Sequence, residues 1–336
     1  VNPVSEIDGH LLAHEATNLV LAAVTLAHAW SHGSAHKWLA FAFFGFTFEV
    51  GGFMVGSHYH RQFALQVTGF LPLKEVLWYS ITMWPSWFLA CVFQMGLLPT
   101  TCLFALLQQL VNIPYECTAQ RAGVELVYSS PQFAMGNMTE TWQTGPIINF
   151  FANLILPAGC GIILGMCQED RVGSLPTFLL TAAGAPMSVV LFAPSNILKL
   201  ASCPAPWALV DGRQLLEWYL GCMSGDSYFG ELKVWLSHLL VFAVVVATAL
   251  HQGPKAGVRR PGLRMAARLG DCAVIFGVAA VQHTMYLGLA WGLATEGPGL
   301  QPLVAVVGAH AALALYLVSP GRLQDNARLA AEARGV

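Results

Sequence analysis

Apolar stretches long enough to cross a bilayer follow one another almost end to end along this chain, and few folds accept that pattern. A helical span needs about 20 mostly apolar residues. Hydrophobic residues fill 56% of the 336 positions, charged residues only 10%, and the mean hydropathy is +0.58. A soluble domain carries about 25% charged residues; a soluble core of this size would lack the polar surface to cover it. A net charge of −2 gives no footing for nucleic acid. The expectation is an all-α, polytopic integral membrane bundle of about eight or nine transmembrane helices, because only helices or closed barrels satisfy their backbone groups in lipid. One transmembrane domain would cover 1–336, with no soluble domain. Val1, rather than Met, fits a processed or incompletely recorded N-terminus.

Spans are expected at 11–31, 37–56, 75–97, 99–121, 144–166, 175–199, 231–251, 271–294 and 300–319. The 99–121 stretch holds Gln108, Gln109, Asn112 and Pro114, so it reads as broken or buried against protein. Trp30, Trp38, Tyr79, Trp142, Trp235 and Trp291 sit near span ends, as interfacial aromatics do. The pairs Gly161/Gly165 and Gly288/Gly292 have the spacing of close helix contacts but read as ordinary membrane-protein glycine usage.

Lys255, Arg259, Arg260, Arg264 and Arg268 make the 252–269 loop basic, and Arg322, Arg328 and Arg334 do the same for the 320–336 tail. With nine spans both lie on one face, which the positive-inside rule makes cytosolic. The loops at 57–74, 122–143 and 200–230 then share the opposite, lumenal or exterior face. Asn137-Met138-Thr139 in one of them is a glycosylation sequon. Cys203 and Cys222 in another are candidates for a disulfide. The other six cysteines read as small apolar packers. An endoplasmic-reticulum, secretory or plastid membrane suits these features.

A short pattern occurs twice, making 37–97 and 99–166 a candidate paired repeat. In the first copy Phe48-Glu49 is followed by Gly56, Tyr59 and then Leu71-Pro72-Leu73-Lys74-Glu75, which opens the next span. In the second, Tyr115-Glu116 is followed by Gly123, Tyr128 and then Gly145-Pro146-Ile147-Ile148-Asn149. Each copy has an acid near a helix end, a Gly free to turn sharply, and a Pro that starts the returning helix. Paired hairpins of this kind often enclose a central site in membrane proteins.

Residues 40–155 carrying this pattern resemble the membrane lycopene cyclase domain and the related carotenoid hydratase family, the Pro-x-x-Asn start at Asn149 being similar to the hydratase branch. The chain has Val55-Gly56-Ser57-His58-Tyr59 where the family usually has Thr-Gly-x-Trp, and Lys74-Glu75 where cyclases often carry adjacent acids. The resemblance implies a long apolar isoprenoid ligand within a lipid surround. It also implies redox-neutral, proton-initiated chemistry that needs no cofactor: hydration or cyclisation of an isolated double bond.

Glu49 and Glu116 are the candidate acids, since acids at membrane depth face protein or water and are often functional. Glu75 and Asn149 are their candidate orienting partners. Tyr59, Tyr79, Tyr115, Trp78 and Trp84 would line a cation-stabilising wall, although aromatic clusters are more often packing. Structural readings stand beside these. Glu75 suits the first turn of a helix dipole, and Glu49 and Glu116 would pair with Arg61 or Arg121.

The 11 histidines suggest other chemistry. His10 and His14, one helical turn apart, and His58 and His60 are candidate ligands for a divalent metal. His14 and His28 on the first span, with His238 and His251 on the seventh, have the spacing of a di-haem bundle; His283 or His310 would hold haem or chlorophyll singly. That reading makes the chain a non-catalytic pigment- or haem-binding subunit among other membrane proteins. The row His28, His32, His36 runs past the expected helix end and reads as an interfacial face. The Pro-interrupted 175–199 span, with Pro186 and Pro194, would suit a transporter, which the scarcity of intramembrane charge disfavours.

Overall fold

A computed structural model of the chain describes residues 9–54, 58–60, 63–69, 71–93, 96–121, 125–127, 155–169, 172–183 and 269–293, with isolated positions between 197 and 247. Helices account for nearly all of these: α1 (Gly9–Ser31), α2 (Ala35–Met54), α3 (Leu73–Val92), α4 (Leu97–Arg121), α5 (Ile155–Glu169), α6 (Ser174–Ala182) and α7 (Leu269–Leu293). Two three-residue strands, β1 (His58–His60) and β2 (Glu125–Val127), follow α2 and α4. Among the described residues one helix, Leu11–Ser31, is long and apolar enough to cross a bilayer; Leu97–Gln109, Pro157–Cys167 and Gly270–Gln282 are apolar but shorter. The spans expected at 144–166, 175–199 and 231–251 are described only in part, and that at 300–319 lies outside the described residues.

The α1–α2 corner shows how the chain reverses. Gly33 takes φ +64°. Its N–H bonds to Trp30 O at 2.9 Å while Ser34 N–H reaches back to Ala29 O at 2.8 Å. These are the paired bonds of a Schellman cap, which needs a left-handed residue where glycine sits without strain. At the start of α3, Pro72 occupies the N-cap in extended conformation (φ −64°, ψ 142°), and Glu75 falls in the first turn. Its ring pre-sets the φ that a helix entry needs.

The 99–121 stretch is one continuous helix through Pro114, not a broken one. Two hydrogen bonds engage its polar side chains inside the bundle: Trp78 Nε1 donates to Asn112 Oδ1 at 3.1 Å, and Gln109 Nε2 to Gln108 Oε1 at 2.6 Å.

Helix α3 is central, packing against α1, α2 and α4; α7 closes on α1 and α4, while α5 lies against α4, and α6 against α2 and α5. Trp84, Trp87, Phe41, Phe44, Phe88 and Phe104 fill the middle, each fully buried. Gly161 on α5 is a close-contact position rather than an incidental glycine. A Cβ there would stand 2.9 Å from the Phe104 ring and 3.1 Å from Thr101. Trp38 and Tyr79 are not interfacial anchors: Trp38 is buried and donates to Thr25 Oγ1 at 2.9 Å, and Tyr79 turns inward. Trp30 is 75% exposed.

Strands β1 and β2 pair antiparallel, with His58 opposite Val127, Tyr59 opposite Leu126 and His60 opposite Glu125. Each strand begins at the same distance beyond the acid of its own sequence copy, Glu49 to His58 and Glu116 to Glu125. The central pair joins equivalent positions, which is the pairing that a local two-fold axis between the copies would produce. It brings together two loops expected on one face. Cys203 and Cys222 form a disulfide with Cα atoms 6.1 Å apart. Cys91, Cys102, Cys160, Cys167 and Cys272 are buried and take no part in a disulfide.

Candidate functional site

Charge lies inside this bundle and apolar surface outside. Along α1, His14, Glu15, Asn18, Thr25 and His28 are buried, while Leu12, Val20, Val24 and Trp30 are exposed. Glu49, Lys74, Glu75 and Asp271 are likewise buried. Buried charges must be paired or hydrogen-bonded, and they gather at the two ends of the α1–α2–α3 unit.

The first group lies where α1 and α3 begin and α2 ends. Both Glu15 oxygens accept backbone N–H groups, from Ala64 at 3.0 Å and Leu65 at 2.8 Å, so this carboxylate clamps the segment entering α3. Lys74 and Glu75 form a buried ion pair, with Lys74 Nζ 4.7 Å from the centre of the Phe63 ring. Glu75, expected to orient Glu49, is thus held by its own neighbour. Glu49 is 6% exposed and accepts a short 2.5 Å hydrogen bond from the Tyr79 hydroxyl. Tyr79 follows Glu75 by one helical turn, and its ring lies across Gly45, one turn before Glu49 on α2. The rings of Phe44 and Phe48 stand 5.8 and 5.9 Å from that of Tyr79. A carboxyl, a phenol and an aromatic shell therefore converge on one point.

The second group lies where α1 and α3 end and α7 begins. His28 Nε2 and His32 Nε2 approach Asp271 Oδ1 at 3.2 and 2.9 Å. On the other side of its ring, His28 Nδ1 accepts from Trp84 Nε1 at 3.0 Å. Indole N–H only donates, so Nδ1 is the acceptor and Nε2 carries the hydrogen that goes to Asp271. Phe88 covers both imidazoles, with ring centres 5.0 Å from His28 and 4.8 Å from His32. His28 and His32 are therefore not part of an interfacial face: His28 is 6% exposed and committed to α3 and α7, and His32 bonds to α7, whereas His36 is half-buried. An axial haem role for His28 would require at least one of its two ring bonds to break. Asp271 carried no distinguishing sequence signal beyond opening an apolar span. Its partners lie 243 and 239 positions away.

His14 is buried, with Nε2 3.2 Å from Asn18 Nδ2, and the Asn18 amide also donates to His14 O at 3.0 Å. The side chains of Glu116, His10, His58 and His60 lie outside the described residues, as do Asn149, His238 and His251 altogether. A cavity of about 20 Å³ between α3, α4 and α7 is lined by Thr82, Ser86 and Gln282, among others, and neither Glu49 nor Tyr79 borders it. It has room for about one water. Gln282 Nε2 is buried beside it with no hydrogen-bond partner among the described residues.

The chain matches no protein-family model, and comparison with curated proteins and with solved structures finds no match.

Proposed function

We propose that this chain is a multi-pass membrane protein that carries out proton-initiated chemistry on a long apolar isoprenoid, with Glu49 as the acid and Tyr79 as its partner. The membrane part of the reading is supported by the inverted pattern of α1, whose exposed face is apolar and whose buried face carries His14, Glu15, Asn18 and His28. That arrangement suits lipid outside and protein inside. The paired strands at equivalent distances from Glu49 and Glu116 support a duplicated hairpin, with Glu116 as the counterpart acid.

The carrying observation is the Tyr79–Glu49 hydrogen bond inside an aromatic shell. In the proposed reaction Glu49 gives its proton to one carbon of an isolated double bond, leaving a tertiary carbocation on the other. Phe44, Phe48 and Tyr79 present ring faces to that cation. Water then captures it and returns a proton to the Glu49 carboxylate, giving net hydration. Alternatively a neighbouring double bond captures it and loses a proton, giving cyclisation. The Tyr79 hydroxyl stabilises the carboxylate between these steps.

The test is incubation of the purified full chain, in micelles, with an acyclic carotenoid in D2O. One deuterium should appear at carbon in the product. Replacing the acid by Glu49→Gln should abolish product, and Tyr79→Phe should slow it by about 10²-fold, the lower end for general acid–base assistance. Wild-type protein that leaves the polyene unlabelled, or Glu49→Gln protein that labels it normally, overturns the reading.

A further inference from the structure

We propose that His28, His32 and Asp271 form a binding site for a divalent transition metal, closed on one side by Trp84, whose indole N–H opposes metal entry.

The ligand atoms are already gathered. Those of His28, His32 and Asp271, one from each, lie within 4.8 Å of one another. The two nitrogen-to-oxygen edges are 3.2 and 2.9 Å. An ion bound at about 2.0–2.2 Å by tetrahedral ligands sets edges of about 3.3 Å, so small side-chain adjustments would admit one. Spacing supplies the rest: His28 lies in the last turn of α1, His32 one residue past its end in the cap that Gly33 closes, and Asp271 in the first turn of α7. Two imidazoles and one carboxylate are the protein ligands of catalytic zinc and non-haem iron(II) sites, which keep further positions open. They are a poor set for magnesium or calcium, which prefer oxygen. The charge also fits, since a buried carboxylate beside imidazoles welcomes a cation. Phe88 and Trp84 close one side, while His32 is only partly buried and leaves a way in.

Trp84 makes the proposal specific. A neutral imidazole that binds a metal through Nε2 carries its hydrogen on Nδ1 instead. Histidine ligands normally carry their other proton toward an acceptor. Here Nδ1 faces the Trp84 N–H, a second donor. Metal binding must therefore break the Trp84–His28 bond.

The probe is Co2+, with Zn2+ as competitor, added to the chelator-treated full-length protein in micelles. The wild type should bind a single equivalent, with visible absorption stronger than that of aqueous Co2+, displaced by Zn2+ but not by excess Mg2+. His32→Gln and Asp271→Asn keep the side-chain shape and should each weaken binding by about 100-fold or more, through loss of a direct ligand. Trp84→Phe should tighten it by about 10-fold, because a buried donor is no longer stranded. Failure of the wild type to take up a stoichiometric ion, displacement by Mg2+, or unchanged binding in Asp271→Asn overturns the site. Unchanged or weaker binding in Trp84→Phe removes His28 from the ligand set and overturns it equally. Because the readout is metal uptake, it stands or falls independently of the chemistry proposed at Glu49.

Discussion

Tyr79 reaches Glu49 by crossing α2 at Gly45, where a Cβ would stand 2.5 Å from ring carbon Cδ2 and 2.7 Å from Cγ. The contact is to the stiff base of the ring, so a larger residue cannot be accommodated by moving a flexible tip. Gly45 is thus the position that lets the carboxyl and the phenol meet.

Gly45→Ala should therefore destabilise the bundle despite alanine's higher helix propensity. The propensity gain is about 1 kcal/mol and overpacking costs about 1–3 kcal/mol, so the clash wins. Thermal unfolding in micelles measures the net loss. In a Tyr79→Ala background the same Gly45→Ala substitution should cost little, because the clash needs both partners. If Gly45→Ala is neutral in the presence of Tyr79, the close approach is not a feature of the folded protein.

Glu15→Ala should loosen the segment between β1 and α3. Two backbone N–H groups, of Ala64 and Leu65, lose their acceptor. Each stranded donor costs about 1–3 kcal/mol. Amide exchange at Ala64 and Leu65 should quicken well beyond that at the buried core of α3. Equal protection in mutant and wild type would show that the clamp is dispensable.

Trp38→Phe should cost about 1 kcal/mol, the ordinary net worth of a hydrogen bond, since most of the aromatic volume stays in the core. Thr25→Val, which removes the acceptor while keeping shape, should add little in the double mutant. A strictly additive pair would mean the Trp38–Thr25 bond at 2.9 Å contributes nothing.

Cys203 and Cys222 close a loop of 19 residues of sequence separation. A loop near that length is held by a disulfide worth about 3 kcal/mol in the chain-entropy account. Reduction should lower the unfolding temperature, and maleimide should label these two positions only after reductant. Labelling of Cys203 in untreated protein would contradict the pairing.

How far this could be read in advance differs from place to place. The ends of α1 and α7 fall within two residues of the apolar runs at 11–31 and 271–294, because apolar run length is itself the helix signal in such a chain. Glu49 stands out because an acid within an apolar run is costly and therefore conspicuous. Tyr79 and Trp38 were misplaced at an interface. Helices this apolar all round look alike on every side, so hydrophobicity does not say which way an aromatic turns. Gln108, Gln109 and Asn112 left α4 open between broken and buried against protein for a related reason: the Trp78 that bonds Asn112 is on another helix.

The amino-acid order alone thus determined a helical chain of closely spaced apolar segments, with its turns at Gly and Pro and an acid at position 49. Those properties follow from local backbone preferences and from the solvation of each segment by itself. Tertiary structure alone decided that Asp271 meets His28 and His32 across 243 and 239 positions, and that Trp84 caps the far side of His28. Such convergence depends on which helices are neighbours and how each is rotated, and a hydrogen bond between distant residues leaves no trace in the spacing of either one.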